Sequence, residues 1–190
     1  MGKLVVTEFI TLDGVMQDPG GAEKDTFPRG GWAFQFDRGA DGDSFKMDEL
    51  LAADAQLLGR ITYEGFAKAW PAMNDNPFGE KMNSMPKYVV SSTLENPTWT
   101  NTTVLGGDLV DGIARLKGEY EGDILVAGSA RLAQGLLAND LVDQLNLMVF
   151  PVVLGEGKKL FADTDAVRPF ELVETRPAGA TVISVLRRAA

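Results

Sequence analysis

Short apolar runs alternate with amphipathic runs through the first two thirds of the chain, and then the alternation stops. Leu4 to Leu12, rich in Val, Ile, Phe and Thr, reads as a first strand ending at Asp13-Gly14. A helix capped by Asp43 or Ser44 is expected to run to about Ala53, with Phe45, Met47, Leu50 and Leu51 on its inner face. Ala55 to Leu58 is a second strand, and Thr62 to about Ala69 a helix stopped by Trp70-Pro71. Further strands fall at Lys87–Ser91, Thr102–Leu105 and Asp123–Ala127, and helices over Asp108–Lys117 and Ser129–Ala138. Leu141–Val149, Phe170–Arg176 and Thr181–Leu186 then read as strands with no helix between them. Helices between strands imply parallel crossovers, whereas a helix-free tail suits antiparallel pairing. The expected class is α/β with an antiparallel end, and 190 residues suit one domain over 1–190.

Three segments break this pattern. From Gly14 to about Asp43 the chain is loop-like, with Asp18-Pro19-Gly20, Phe27-Pro28 and two Gly-Gly pairs. Phe27, Trp32, Phe34 and Phe36 make it too aromatic for a disordered linker, so it reads as an ordered cover over a pocket, mobile in part. Ala72 to Pro86 reads as a loop with at most one helical turn. Pro151 to Phe161 reads as a strand followed by a Gly-bounded turn, or as an edge segment used for dimerisation.

Three strand ends carry small polar residues where a helix could begin: Gly59-Arg60-Ile61-Thr62, Ser91-Ser92-Thr93 and Gly128-Ser129-Ala130. A helix N-terminus presents unpaired N–H groups and partial positive charge, which suits an anion. Arg60 adds a planar donor fork matched to phosphate. In a parallel sheet such ends gather on one edge, where ligands bind. The plainer reading is that Gly and Ser punctuate ordinary strand–helix turns. Neither a Gly-x-Gly-x-x-Gly fingerprint nor a P-loop is present, so a nucleotide would be held by dispersed turns.

Composition removes several chemistries. With no histidine and no cysteine, a Ser-His-Asp triad, a thiol nucleophile, disulfides and the common zinc sites are excluded. A net charge of −9 without a Lys/Arg cluster argues against nucleic acid as a partner. No apolar run approaches membrane-spanning length and no signal peptide is evident, so a cytoplasmic protein is expected.

Asp13 is the best-placed carboxylate: either a polar anchor or proton-relay group near a reacting ring, or a plain Asp-Gly turn residue. Glu8, inside the same strand, faces solvent or lines the pocket, and the solvent reading is preferred. Trp32 and its neighbours could stack on a planar substrate or anchor the loop, anchoring being preferred for Phe34 and Phe36. Met73, Met82, Met85, Tyr63 and Trp70 read as packing, and Asp37–Asp48 as a solvated face.

Ile10-Thr11-Leu12-Asp13-Gly14, Leu58-Gly59-Arg60-Ile61-Thr62-Tyr63-Glu64, Val90-Ser91-Ser92-Thr93, Gly128-Ser129 with Leu136-Leu137, and Leu141-Val142-Asp143-Gln144-Leu145 followed by Pro151-Val152-Val153-Leu154-Gly155 occur in this order. This series resembles the dihydrofolate reductase-like superfamily. The nearest likeness is to stand-alone homologues of the C-terminal reductase domain of the bifunctional riboflavin-biosynthesis deaminase-reductase. The resemblance implies a three-layer α/β fold, with helices on both faces of a mixed sheet, and NADPH as cofactor. It implies that Gly59, Arg60, Ile61 and Thr62 hold the pyrophosphate and 2′-phosphate side of NADPH. Ser91, Ser92 and Thr93 would meet the adenosine end. Gly128, Ser129, Ala130 and Leu132 would meet the pyrophosphate and nicotinamide ribose, and Asp13 and Gly14 would lie near the nicotinamide and substrate.

Two substrate-side charges of the riboflavin-pathway enzyme are missing. Thr7 stands at its strand-one lysine, and Val126 or Ala127 at the glutamate before its Gly-Gly-Ser. The expected function is an NADPH-dependent reductase of a small heterocyclic or carbonyl compound, resembling 5-amino-6-(5-phosphoribosylamino)uracil reductase and dihydrofolate reductase. Asp13 or an ordered water would assist protonation, Phe9 and Trp32 would wall the substrate, and Asp48 or Glu49 could serve as a helix carboxylate. A homodimer is expected. The alternative is a nucleotide-binding or ligand-sensing protein on the same fold without catalysis. A hydrolase lacks an assembled nucleophile.

Overall fold

The computed structural model describes residues 1–23 and 26–189. The elements are β1 (Lys3–Thr11), α1 (Gly39–Ala52), β2 (Ala55–Gly59), α2 (Arg60–Ala69), α3 (Pro77–Ser84), β3 (Lys87–Val90) and β4 (Thr102–Leu105). They continue with α4 (Leu109–Glu119), β5 (Asp123–Ala127), α5 (Ala130–Ala138), β6 (Gln144–Phe150), β7 (Phe170–Ala178) and β8 (Thr181–Arg188). Among the described residues the strands form one eight-stranded sheet in the order β4-β3-β2-β5-β1-β6-β8-β7. From β4 to β6 every pairing is parallel, and β8 and β7 close the sheet antiparallel. Alternation along the buried strands splits the core. Val5, Leu58, Val89 and Leu125 pack with Leu50, Tyr63 and Met82 on the face of α1 to α3. Leu4, Val6, Leu57, Ile124 and Val126 pack with Ile113, Leu116 and Leu132 on the face of α4 and α5. The α/β class with an antiparallel end is the architecture found.

Local chemistry moves several boundaries. α1 begins at Gly39 rather than Asp43, with no side-chain cap. Asp43 pairs with Arg38 at 2.6 Å instead. α3 occupies the expected 72–86 loop because the Asn76 side chain accepts the Gly79 N–H at 2.9 Å and Pro77 fits the first helical position. Pro151–Phe161 is no strand. It runs beside the start of the long loop, with Leu12 N–H donating to Val152 and Met16 N–H to Lys158, both at 2.9 Å. The long loop carries one short helical turn, Trp32–Gln35. Among the described residues no helix is long and apolar enough to cross a membrane.

Candidate functional site

β2 and β5 are neighbours, so the turns that end them meet. The Gly59 N–H donates to Ser129 Oγ at 2.8 Å. A Cβ on Gly59 would stand 3.1 Å from the Ser129 side chain, and one on Gly128 2.9 Å from Thr62 Cγ2. Gly128 also takes φ +63°, a left-handed value that favours glycine. These two glycines therefore let the turns close on one another. The contact brings the N-termini of α2 and α5 together, and neither has a side-chain cap. The first-turn N–H groups of Arg60, Ile61 and Thr62, and of Ala130 and Leu132, have no partner one turn earlier. Ala130 and Leu132 can offer only backbone, since their side chains lie in the core. Arg60, the first residue of α2, is half-exposed and lies 2.9 Å from Glu64. The donor set and charge fit a phosphate.

The third strand end differs. No helix follows β3, and Ser91 Oγ accepts the N–H groups of Thr93 at 3.1 Å and Leu94 at 2.9 Å, folding the loop on itself. Ser92 and Thr93 are exposed on the same edge of the sheet. This segment has hydroxyls to offer but no helix N-terminus.

Asp13 is an anchor. The Thr11 hydroxyl donates to its carboxylate at 2.6 Å, as do the N–H groups of Gly155 at 2.8 Å and Leu154 at 3.2 Å. The Thr11 bond and, against some burial, the two backbone donors hold its pKa down at about 2. Ionised at neutral pH, this carboxylate clamps β1 to the 151–161 segment, which is the polar-anchor half of the sequence reading. Gly14, at φ +79°, completes that turn.

Trp32 is likewise no pocket wall. It is 1% exposed, set edge-on to Phe150 at 5.3 Å, with its indole N–H donating to Gln17 O at 2.8 Å. It pins the long loop to β6. Phe34 is exposed, contrary to the anchoring reading, whereas Phe36 joins the aromatic cluster around Phe150. Phe9 is partly exposed, with Arg38 and Lys46 each 5.2 Å from its ring centre. Glu8 does not face solvent: it is buried beside Gly128.

A polar cluster that the motifs did not reveal lies on the α1 face of β1. Lys46 Nζ donates to Thr7 Oγ1 at 2.6 Å and pairs with Glu49. Thr7 donates to Glu49 Oε1 at 2.6 Å, Asn146 Nδ2 donates to Glu49 Oε2 at 3.0 Å, and Gln144 reaches Asn146 at 2.8 Å. Thr7 and Asn146 are register partners. Their polarity within buried, apolar strands was the available sign, since buried polar groups need partners. The charged run around α1 is thus solvated only in part. Asp48, by contrast, is exposed.

A protein-family model described as the RibD C-terminal domain matches residues 2–184. The uncharacterized protein YyaP of Bacillus subtilis is 29% identical, with 97% of this chain and 93% of that protein covered. The crystal structure of a putative riboflavin biosynthesis protein from Shewanella sp. PV-4 superposes with a TM-score of 0.77 at 21% identity, covering 99% of each chain. RibD of Acinetobacter baumannii superposes with a TM-score of 0.62 at 16% identity, all of this chain covering 59% of that one. The three-layer fold implied by the sequence motifs is the fold these structures share.

Proposed function

The chain belongs to the RibD C-terminal domain family, and from that premise we propose that it is an NADPH-dependent reductase of a small heterocyclic or carbonyl compound. The observation that carries this reading is the fused pair of uncapped helix N-termini at Gly59 and Gly128, with Arg60 as the first residue of one of them. The backbone of Gly59 to Thr62 and of Gly128 to Leu132 would hold the pyrophosphate. The Arg60 guanidinium would take the 2′-phosphate, and Ser91, Ser92 and Thr93 the adenosine end. When bound, NADPH supplies the hydride.

The substrate side of this reading is Phe9 with Lys46, Glu49 and Asn146. A ring can lie against Phe9, while the paired ammonium and carboxylate offer a donor and an acceptor to its polar edge. Lys46 also answers the missing strand-one lysine. Its ammonium reaches the Thr7 hydroxyl from α1, so positive charge is supplied beside that position by a different element. This favours retained chemistry over a sensor that has lost it. A homodimer belongs to the same proposal, checked by sedimentation.

The decisive experiment is titration with NADPH and NADH, following nicotinamide fluorescence, on wild type and Arg60→Ala. We expect NADPH affinity to fall roughly tenfold in the variant, the order expected for one charge-assisted contact, with NADH affinity nearly unchanged. Wild type that binds neither nucleotide would sink the cofactor assignment. An unchanged NADPH affinity in the variant would remove Arg60 from it.

A further inference from the structure

Glu8 is a buried acid that this reading leaves without a task. It sits one residue beyond Thr7 and Ala127, the last β1–β5 pair, where β5 gives way to the Gly128 turn. It is 5% exposed. The Gly128 backbone lies beside its carboxyl, and Oε1 has no hydrogen-bond partner among the described residues. A buried oxygen without a partner destabilises the fold that contains it, so its presence at a ligand-facing turn points to a missing partner. The charged groups that act on Glu8 are Lys46 and Glu49 of α1. Burial outweighs the attraction of Lys46 and holds the carboxyl well above its usual range, and Glu49 adds to the rise. A neutral carboxyl is both an O–H donor and a C=O acceptor. A primary carboxamide is its complement, with one donor and one acceptor on a flat group.

Strand order fixes which part of a dinucleotide would reach Glu8. Along the carboxyl edge, β2 carries Arg60, β5 leads into the Gly128 turn, and β1 carries Glu8. With the extra phosphate at Arg60 and the pyrophosphate at the junction, the uncharged ring end extends toward β1. We propose that Glu8 binds that ring end, its carboxyl pairing with the nicotinamide carboxamide beside the Gly128 turn. This rests on the NADPH reading above and adds to it a residue that recognises the ring rather than the phosphates.

The test titrates wild type, Glu8→Gln and Glu8→Leu with NADPH and with 2′-phospho-ADP-ribose, which lacks the ring, after circular dichroism has verified folding. Glu8→Leu is expected to weaken NADPH roughly tenfold, the scale of one or two lost hydrogen bonds, and to leave the ring-less fragment unchanged. Glu8→Gln keeps a donor and an acceptor in the same shape and should stay within about twofold of wild type. Wild-type affinity for NADPH should fall as rising pH ionises Glu8, and Glu8→Gln should abolish that fall. Equal NADPH affinity in wild type and Glu8→Leu, equal weakening of the fragment, or a pH profile unaltered by Glu8→Gln would each overturn the assignment. If wild type binds the fragment and NADPH equally, the phosphate site stands and the ring contact fails. If it binds neither, the cofactor reading falls and this assignment with it.

Discussion

Asp13 and Glu8 lie near the same end of β1 and respond to pH in opposite directions. Thr11 and two backbone donors pull Asp13 from 3.8 to about 2, so its stabilisation is present above 3.8 and is lost as pH falls toward 2. Asp13→Asn should cost about 1 kcal/mol at pH 7, a shift of about 2–4 °C in Tm, and the gap to wild type should narrow below about pH 4 and close as pH falls to about 2. Thermal melts across that range check it. Glu8 is raised above 4.5, so its contribution is present below 4.5 and is lost as pH rises. Glu8→Leu should therefore gain more relative to wild type at about pH 8 than at about pH 5; an equal change at both would contradict its burial as a neutral acid. The sequence marked Asp13 as the well-placed carboxylate, but its role depends on Leu154, 141 residues away. The burial of Glu8 is not legible in the sequence, because alternation along one strand does not say that both faces of the sheet are covered.

The α2 and α5 turns were legible because strand, small residue and helix are adjacent in the chain. Their contact was not, since it follows from β2 lying beside β5. Gly128→Ala imposes a side chain at φ +63° and a contact of 2.9 Å with Thr62. It should cost about 1–3 kcal/mol and weaken NADPH binding, whereas Gly65→Ala, exposed within α2 with nothing near its Cβ, should be neutral or stabilising. Denaturant melts and the same titration measure both. Ser91 looked equivalent to Gly59 and Gly128 in sequence. Its hydroxyl is spent on Thr93 and Leu94, because Asn96 to Thr100 continues as loop rather than helix. Asn76 and Pro77 did encode α3, through a cap and a first-turn proline that the loop reading passed over.

Across the molecule, the long loop is held where β6 and β8 meet. Trp32 packs there with Phe150, Ile183 and Ala178, which the chain separates widely. Trp32→Ala should cost about 3–5 kcal/mol and expose residues 13–38 to proteolysis while β1 to β5 stay protected. Limited proteolysis with mass spectrometry locates the cuts, and uniform cleavage would show that the loop is not a separable layer. By itself the sequence determined the strand–helix alternation, the antiparallel tail, the two helix-opening turns and the chemistry excluded by having no His or Cys. These are local or compositional properties, set by periodicity and side-chain type within a few residues. Only the tertiary structure decided that β5 inserts between β2 and β1, which joins the two turns and buries Glu8 beside them. It alone brought Lys46 to Thr7, tied Asp13 to the 154–155 backbone and buried Trp32 as an anchor, because those outcomes depend on partners that strand order supplies and sequence proximity does not.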